Sequence, residues 1–209
     1  MSIVRKKAPL FSARAIVNGD ELEEGFSLSQ YLGKKYVVFF FYPKDFTFVC
    51  PTELFAFQEK LAEFEGLNTA VVGCSCDTDD VHLAWLSTPK NRGGIEGIKY
   101  PLVADVSKTI AANFGVLGGE YGYNEDEEMV YDGLPFSLRA TFIIDKEGVV
   151  RSSMINDLPL GRNIDDTFRL VKALQYTEKH GEVCPANWEE GKDALKETRE
   201  SVANYLATH

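Results

Sequence analysis

Consecutive hydrophobic residues form several short runs that predict strands buried on both faces of a sheet. The longest run covers residues 36–42, where seven apolar or aromatic side chains follow one another. The other runs are residues 69–74, 100–104 and 141–145. Two hairpins are also expected. One follows residues 15–17 at the turn Asn18-Gly19, and the second joins the last of these runs to residues 148–151.

Hydrophobic residues spaced three and four apart predict helices between these strands. The first predicted helix covers residues 51–65, and further helices are expected at 79–86, 106–114, 164–174 and 195–206. The order is strand, helix, strand, helix, then a hairpin and a helix. This order predicts an α/β thioredoxin-like fold, with a central mixed sheet flanked by helices and a C-terminal tail extension. We expect one domain at residues 2–176 and a tail at 177–209.

Residues 117–136 follow neither pattern. They combine glycines and tyrosines with the acidic run 125–128, and we expect a solvated loop. A metal site is the weaker alternative, because a calcium cage needs acidic ligands spaced around a turn. This stretch lacks that spacing.

The charge balance narrows the class of protein. The 209 residues carry a formal net charge of -10, which argues against a nucleic-acid surface because binding the phosphate backbone requires basic patches. The short cluster Arg5-Lys6-Lys7 fits a solvated arm. No apolar run is long enough to predict a transmembrane helix. The first twenty residues show no secretory signal, so a cytoplasmic location is expected.

Four cysteines provide the candidate chemistry: Cys50, Cys74, Cys76 and Cys184. In a cytosolic chain of this size, redox or catalytic roles are favoured over structural disulfides. Cys50 lies between the longest buried strand and Pro51, a residue suited to the first turn of a helix. The backbone N–H groups and dipole of a helix N-terminus favour thiolate over thiol. A buried, inert thiol is the alternative, and spacing alone does not decide between them.

The residues around Cys50 carry a family resemblance. The pattern Pro43-x-x-x-Thr47-x-x-Cys50 resembles the peroxidatic signature of the peroxiredoxins. Residues 46–53, Phe-Thr-Phe-Val-Cys-Pro-Thr-Glu, are similar to the typical two-cysteine subgroup, the family of alkyl hydroperoxide reductase C and the thiol-specific antioxidant proteins. The resemblance implies a thioredoxin-like fold and a thiol peroxidase that reduces hydrogen peroxide and organic hydroperoxides.

The same resemblance implies roles for further residues. Cys50 would be the peroxidatic nucleophile, Thr47 would hold the peroxide, and Pro43 would shield the thiolate from water. Arg139 matches the active-site arginine of the family, although sequence alone would favour a surface arginine. Glu53 and Arg151 match positions that orient this arginine.

The resemblance also implies how the catalytic cycle closes. Attack on a peroxide leaves a sulfenic acid, which condenses with a second thiol. Cys184, in a tail segment similar to the resolving segment of the family, would supply that thiol from the partner subunit. A homodimer is therefore implied, and the resemblance also permits its assembly into a decameric ring. The electron donor would be thioredoxin or a dedicated flavoprotein reductase, and no cofactor is implied.

The pair Cys74-x-Cys76 offers a competing interpretation. Together with Asp77 and His82 these thiols suggest metal ligands, but a second Cys/His pair at zinc-finger spacing is absent from the sequence. We interpret both as buried structural thiols. His82, Trp85 and Trp188 are expected to pack.

Two other functions are compatible with a fold of this kind. A thiol–disulfide oxidoreductase of this fold needs neighbouring cysteines, usually C-x-x-C, and Cys50 has no such partner in the sequence. An oligomeric holdase is compatible with a peroxidase and is retained as an additional role.

Overall fold

The computed structural model describes residues 2–208, which form nine strands and six α-helices. The strands are β1 (Ala13–Val17), β2 (Glu21–Phe26), β3 (Tyr36–Phe41), β4 (Thr69–Ser75), β5 (Leu102–Ala104), β6 (Leu117–Tyr123), β7 (Met129–Ser137), β8 (Arg139–Ile144) and β9 (Val150–Asn156). The helices are α1 (Cys50–Glu59), α2 (Leu61–Gly66), α3 (Asp79–Leu86), α4 (Thr109–Asn113), α5 (Ile164–His180) and α6 (Arg199–Thr208).

Seven strands form one mixed sheet in the order β2-β1-β5-β4-β3-β8-β9. The three inner strands β3, β4 and β5 run parallel, and the remaining pairings are antiparallel. Helices flank this sheet, so the expected α/β thioredoxin-like architecture is confirmed. Both predicted hairpins are present as β1–β2 and β8–β9.

Strand β3 is buried along its whole length, because its side chains alternate between two hydrophobic layers. On one face, Phe39 and Phe41 pack on Phe114, with ring centroids 5.1 and 5.3 Å away. On the other face, Phe40 stacks on Phe57 of α1 at 4.2 Å. This second layer fixes α1, and therefore its first residue Cys50, against the sheet.

Of the five predicted helices, only the helix at 79–86 has the predicted bounds. The helix expected at 164–174 extends to His180, and the helix expected at 195–206 covers Arg199–Thr208. The single helix expected at 51–65 is two helices, because the chain leaves helical geometry at Lys60. Leu54, Phe57 and Phe64 are nevertheless fully buried. The helix expected from residue 106 starts only at Thr109, and Val106 is exposed.

The solvated loop expected at 117–136 is wrong, because β6 and β7 pair there as a separate antiparallel hairpin. Tyr121 and Tyr131 face each other across the two strands with ring centroids 4.9 Å apart. The acidic run lies at the turn, where the side chain of Asn124 accepts hydrogen bonds from the backbone N–H groups of Asp126 and Glu128. Within residues 2–208 no group of three or more acidic, histidine or cysteine side chains is arranged to hold a metal ion.

The chain divides into two compact units between Ile164 and Asp165. The boundary that we expect at 176/177 falls inside α5. In the second unit Trp188 is buried and packs on Tyr176 at 4.9 Å, as expected for a packing residue. Along residues 2–208, no helix is long and apolar enough to cross a membrane.

Candidate active site

Cys50 is the first residue of α1, at the end of the loop that follows β3. Pro51 occupies the first turn, as predicted, and needs no hydrogen-bond partner there. The Cys50 side chain is buried, with the residue 1% exposed. Its sulfur therefore lies at the positive end of a helix, in surroundings largely shielded from water.

Arg139 places a guanidinium beside this sulfur. The residue begins β8, which pairs with β3, and it is 4% exposed. Its Nη1 donates to Cys50 Sγ at 3.4 Å and to Glu53 Oε2 at 2.7 Å, while its Nε donates to the Leu158 carbonyl at 2.6 Å. The structure thus brings Arg139, Cys50 and Glu53 together. A fixed positive charge at this distance stabilises negative charge on the sulfur and on a leaving group next to it.

A second buried arginine, Arg162, holds Glu53 from the other side. Its Nε donates to Glu53 Oε1 at 2.9 Å and its Nη2 to Oε2 at 2.8 Å. Its Nη1 donates to the Phe41 and Ala140 carbonyls at 2.8 and 2.9 Å. Burial alone would raise the pKa of Glu53, but the hydrogen bonds and charge of Arg162, together with the charge of Arg139, hold it below its ordinary value. Glu53 is therefore the carboxylate that links both guanidiniums.

The interpretation of Arg151 as a residue that orients Arg139 is not supported by the geometry. Arg151 lies on β9 with 41% of its side chain exposed, and its Nη1 pairs with Asp145 Oδ2 at 3.2 Å. Arg162 occupies the position next to Glu53 that the family resemblance assigned to Arg151. No sequence signal marks Arg162, because it lies between β9 and α5, outside any periodic pattern.

Pro43 and Thr47 lie in the loop between β3 and α1. Pro43 is buried and Thr47 is half-buried. The Thr47 hydroxyl donates to the Lys44 carbonyl at 2.8 Å, so its single proton is engaged and its lone pairs are left to accept a hydrogen bond. Phe46 adopts a left-handed backbone conformation with φ 53°, which is unusual for a bulky side chain.

Cys184 belongs to the second compact unit. It is half-buried, and its Sγ lies 3.7 Å from both Thr177 Oγ1 and the Ala173 carbonyl oxygen. The residue before it, Val183, forms a short antiparallel bridge with Leu195. Cys184 is thus a free thiol whose sulfur packs against α5.

The pair Cys74 and Cys76 differs from Cys50 in its electrostatics. Cys74 is fully buried on β4, and burial raises the pKa of its thiol well above the ordinary value. Cys76 is half-buried, and burial together with the charge of Asp105 raises its pKa to about 12. Both environments favour the protonated thiol, which is a poor nucleophile.

We expect Cys76 to resist alkylation by iodoacetamide between pH 7 and 9, with labelling increasing only as the pH approaches its pKa of about 12. Cys76→Val and Cys74→Ser should each keep most of the wild-type peroxide turnover, because both environments favour a protonated thiol that takes no part in the reaction. Peptide mass spectrometry and a turnover assay measure the two outcomes. Ready labelling at pH 7, or loss of turnover in a folded variant, would contradict a structural role.

These features define a class of protein: a thioredoxin-like domain with a single cysteine at a helix N-terminus, faced by a buried arginine. The AhpC/TSA family model matches residues 4–153, and the model of the C-terminal domain of 1-Cys peroxiredoxin matches residues 173–208.

Full-length relatives agree with this class. The chain is 46% identical to peroxiredoxin-1 of Gallus gallus over 206 residues, which cover 99% of this chain and 96% of the relative. It is 45% identical to alkyl hydroperoxide reductase C of Helicobacter pylori over 204 residues, covering 98% and 96%. A solved reduced 2-Cys peroxiredoxin of Plasmodium vivax superposes with a TM-score of 0.88 at 41% identity, covering 99% of this chain and all of that one. The chain belongs to the AhpC/TSA family of peroxiredoxins and is a thiol-dependent peroxidase of antioxidant function.

Proposed function

We propose that Cys50 is the peroxidatic residue and that its thiolate attacks one oxygen of a hydroperoxide. The S–O bond forms as the O–O bond breaks. The second oxygen leaves with a proton as water or an alcohol, and a sulfenic acid remains on Cys50. The observation that carries this assignment is the Arg139 Nη1 to Cys50 Sγ contact of 3.4 Å in a buried site. None of the other three cysteines is hydrogen-bonded to a guanidinium within the described residues 2–208.

Each neighbouring side chain has a part in this step. Arg139 stabilises the negative charge that develops on the leaving oxygen, and Glu53 holds Arg139 in place. Arg162 fixes Glu53 through three further hydrogen bonds, one from its backbone N–H and two from its guanidinium. Thr47 accepts a hydrogen bond from the peroxide, and Pro43 covers the site against water. This arrangement is preorganised, because each guanidinium is already hydrogen-bonded to the Glu53 carboxylate before any substrate is bound.

The second step is the condensation of the Cys50 sulfenic acid with the thiol of Cys184 of a second subunit, which forms a disulfide and releases water. A reductant dithiol then regenerates both thiols. We infer that thioredoxin or a flavoprotein reductase supplies it, consistent with the name of the Helicobacter pylori relative. A homodimer is the smallest assembly that allows this step, and a decameric ring of such dimers allows it equally. A cytoplasmic location stays a prediction.

Treatment with one equivalent of hydrogen peroxide should convert the wild-type protein to a disulfide-linked dimer on non-reducing gels. Cys184→Ser should remain monomeric on the same gels and should stop after one turnover with thioredoxin as donor, because its sulfenic acid has no thiol to meet. Cys76→Val is the matched control and should form the dimer. Oxidised wild-type protein that runs entirely as a monomer would contradict the intersubunit disulfide.

A further inference from the structure

A set of buried polar side chains lies beside the β3–α1 loop and has no part in the steps above. Tyr42, Asp45 and His82 are almost fully buried. The Tyr42 hydroxyl donates to Asp45 Oδ1 at 2.8 Å, and Asp45 Oδ2 lies 2.7 Å from His82 Nδ1. His82 Nε2 lies 3.2 Å from the Val103 carbonyl oxygen on β5. The Asp45 side chain is therefore fixed to the body of the domain at both of its oxygens.

The peptide unit that joins Lys44 to Asp45 is held at both of its polar groups. Its N–H, on Asp45, donates to Asp77 Oδ2 at 2.8 Å. Its carbonyl, on Lys44, accepts the Thr47 hydroxyl at 2.8 Å. Because a peptide unit is planar, rotation of the N–H would turn the carbonyl with it. The direction of the acceptor for Thr47 therefore depends on Asp77.

Asp77 is itself anchored at the end of β4. Its Oδ2 accepts the Ser75 hydroxyl at 2.7 Å, and its own N–H donates to Ser75 Oγ at 3.1 Å. The carboxylate thus holds the loop against the sheet at the residue that precedes the left-handed Phe46. Left-handed geometry at a bulky residue persists only where its surroundings impose it, and this bond is one of the constraints.

We propose that Asp77 is a positioning residue for peroxide reduction, acting through the Lys44–Asp45 peptide on the hydroxyl of Thr47. The inference rests on the proposed function, in which Thr47 accepts a hydrogen bond from the peroxide. With its proton held by the Lys44 carbonyl, the Thr47 hydroxyl presents only lone pairs to the substrate. Without Asp77 the peptide turns, the hydroxyl loses its fixed acceptor, and its proton competes for the peroxide oxygen.

The test compares two reactions of the same sulfur in stopped-flow experiments. Oxidation of Cys50 by hydrogen peroxide needs Thr47 as a hydrogen-bond acceptor, whereas alkylation by iodoacetamide needs no hydrogen bond to Thr47. Asp77→Ala should slow oxidation by at least about tenfold, as misplacement of a group that positions substrate does. Alkylation should stay within about twofold of wild type. Asp77→Asn, whose amide oxygen can accept the Asp45 N–H, should recover most of the oxidation rate.

Asp79→Ala is the matched control, because Asp79 is a nearby aspartate whose carboxylate pairs with Arg14 at 3.0 Å. It should leave both rates unchanged. A second comparison uses the Thr47→Val background, in which adding Asp77→Ala should cost no further rate, since residues that act through one another are not additive.

Equal slowing of oxidation and alkylation, or a further loss in the Thr47→Val background, would overturn the proposal. If the wild-type protein reduces peroxide and the Asp77→Ala variant reduces it at the same rate, this inference alone is overturned. A wild-type Cys50 inert to peroxide would overturn the proposed function, and the inference with it.

Discussion

Replacing Cys50 by serine is expected to abolish peroxide turnover. A serine hydroxyl is a weak nucleophile at neutral pH, whereas a guanidinium and a helix N-terminus stabilise negative charge on a neighbouring sulfur. The change is nearly isosteric, and Arg139 retains its bonds to Glu53 and to the Leu158 carbonyl. The measurement is peroxide consumption with excess reductant, together with a thermal unfolding curve showing that the variant is folded.

Cys184→Ser provides the comparison for this variant, because it removes a thiol and leaves the buried site untouched. It should still consume one equivalent of peroxide per subunit, whereas Cys50→Ser should consume none. Stoichiometric consumption by Cys50→Ser would show that another thiol is the nucleophile.

Replacing Arg139 by alanine is expected to slow peroxide reduction by about 10²–10³-fold, the usual cost of removing one preorganised charge contact. The guanidinium is 3.4 Å from the sulfur, in a site from which water is largely excluded. Solvent therefore does not replace its charge. Glu53 keeps its hydrogen bonds to Arg162, so the carboxylate is not left unpaired. Rapid mixing with hydrogen peroxide under single-turnover conditions measures the rate.

Two variants sharpen this test. Arg139→Lys keeps the positive charge but loses the planar guanidinium that bonds Cys50, Glu53 and Leu158 at once. Its rate of peroxide reduction should therefore lie between those of the wild type and Arg139→Ala. Arg151→Ala is the matched control, since that guanidinium pairs with Asp145 on β9 and should change the rate no more than about twofold. An unchanged rate in Arg139→Ala would show that a different group stabilises the charge.

The sequence around Cys50 predicts its structure well because every determinant is local. The buried run ends at Pro43, and Pro51 and the hydrophobic face of the helix follow within fifteen residues, so strand, loop and helix are specified together. The position of Cys50 at the start of α1 follows from these residues alone. Arg139 is distant in sequence, and only the family resemblance identifies it.

Arg162 could not be predicted, because its role depends on tertiary contacts. Its guanidinium bonds Glu53 together with the carbonyls of Phe41 and Ala140, which belong to β3 and β8. In the sequence, an arginine between a strand and a helix cannot be distinguished from a solvated arginine. Only the positions of β3 and β8 in the folded protein show that Arg162 is buried and hydrogen-bonded. The family resemblance points to Arg151 instead, but Arg151 pairs with Asp145 and the geometry does not support that choice.

The β6–β7 hairpin was missed because its stability does not come from hydrophobic alternation. Most of its side chains are exposed or half-exposed, and its glycines weaken a strand prediction. The structure explains them: a Cβ at Gly119 would lie 2.1 Å from the Asp132 carbonyl oxygen. Close approach of the two backbones requires glycine there, which composition alone does not show.

In the proposed cycle Cys50 meets the peroxide and Cys184 resolves the product. The decisive measurement is peptide mapping of wild-type protein after one equivalent of hydrogen peroxide, with free thiols blocked at once. We predict one major product, a peptide pair linked by a disulfide between Cys50 and Cys184, with Cys74 and Cys76 recovered as blocked thiols. Oxidation found on Cys74 or Cys76, with Cys50 recovered as a thiol, would contradict this cycle.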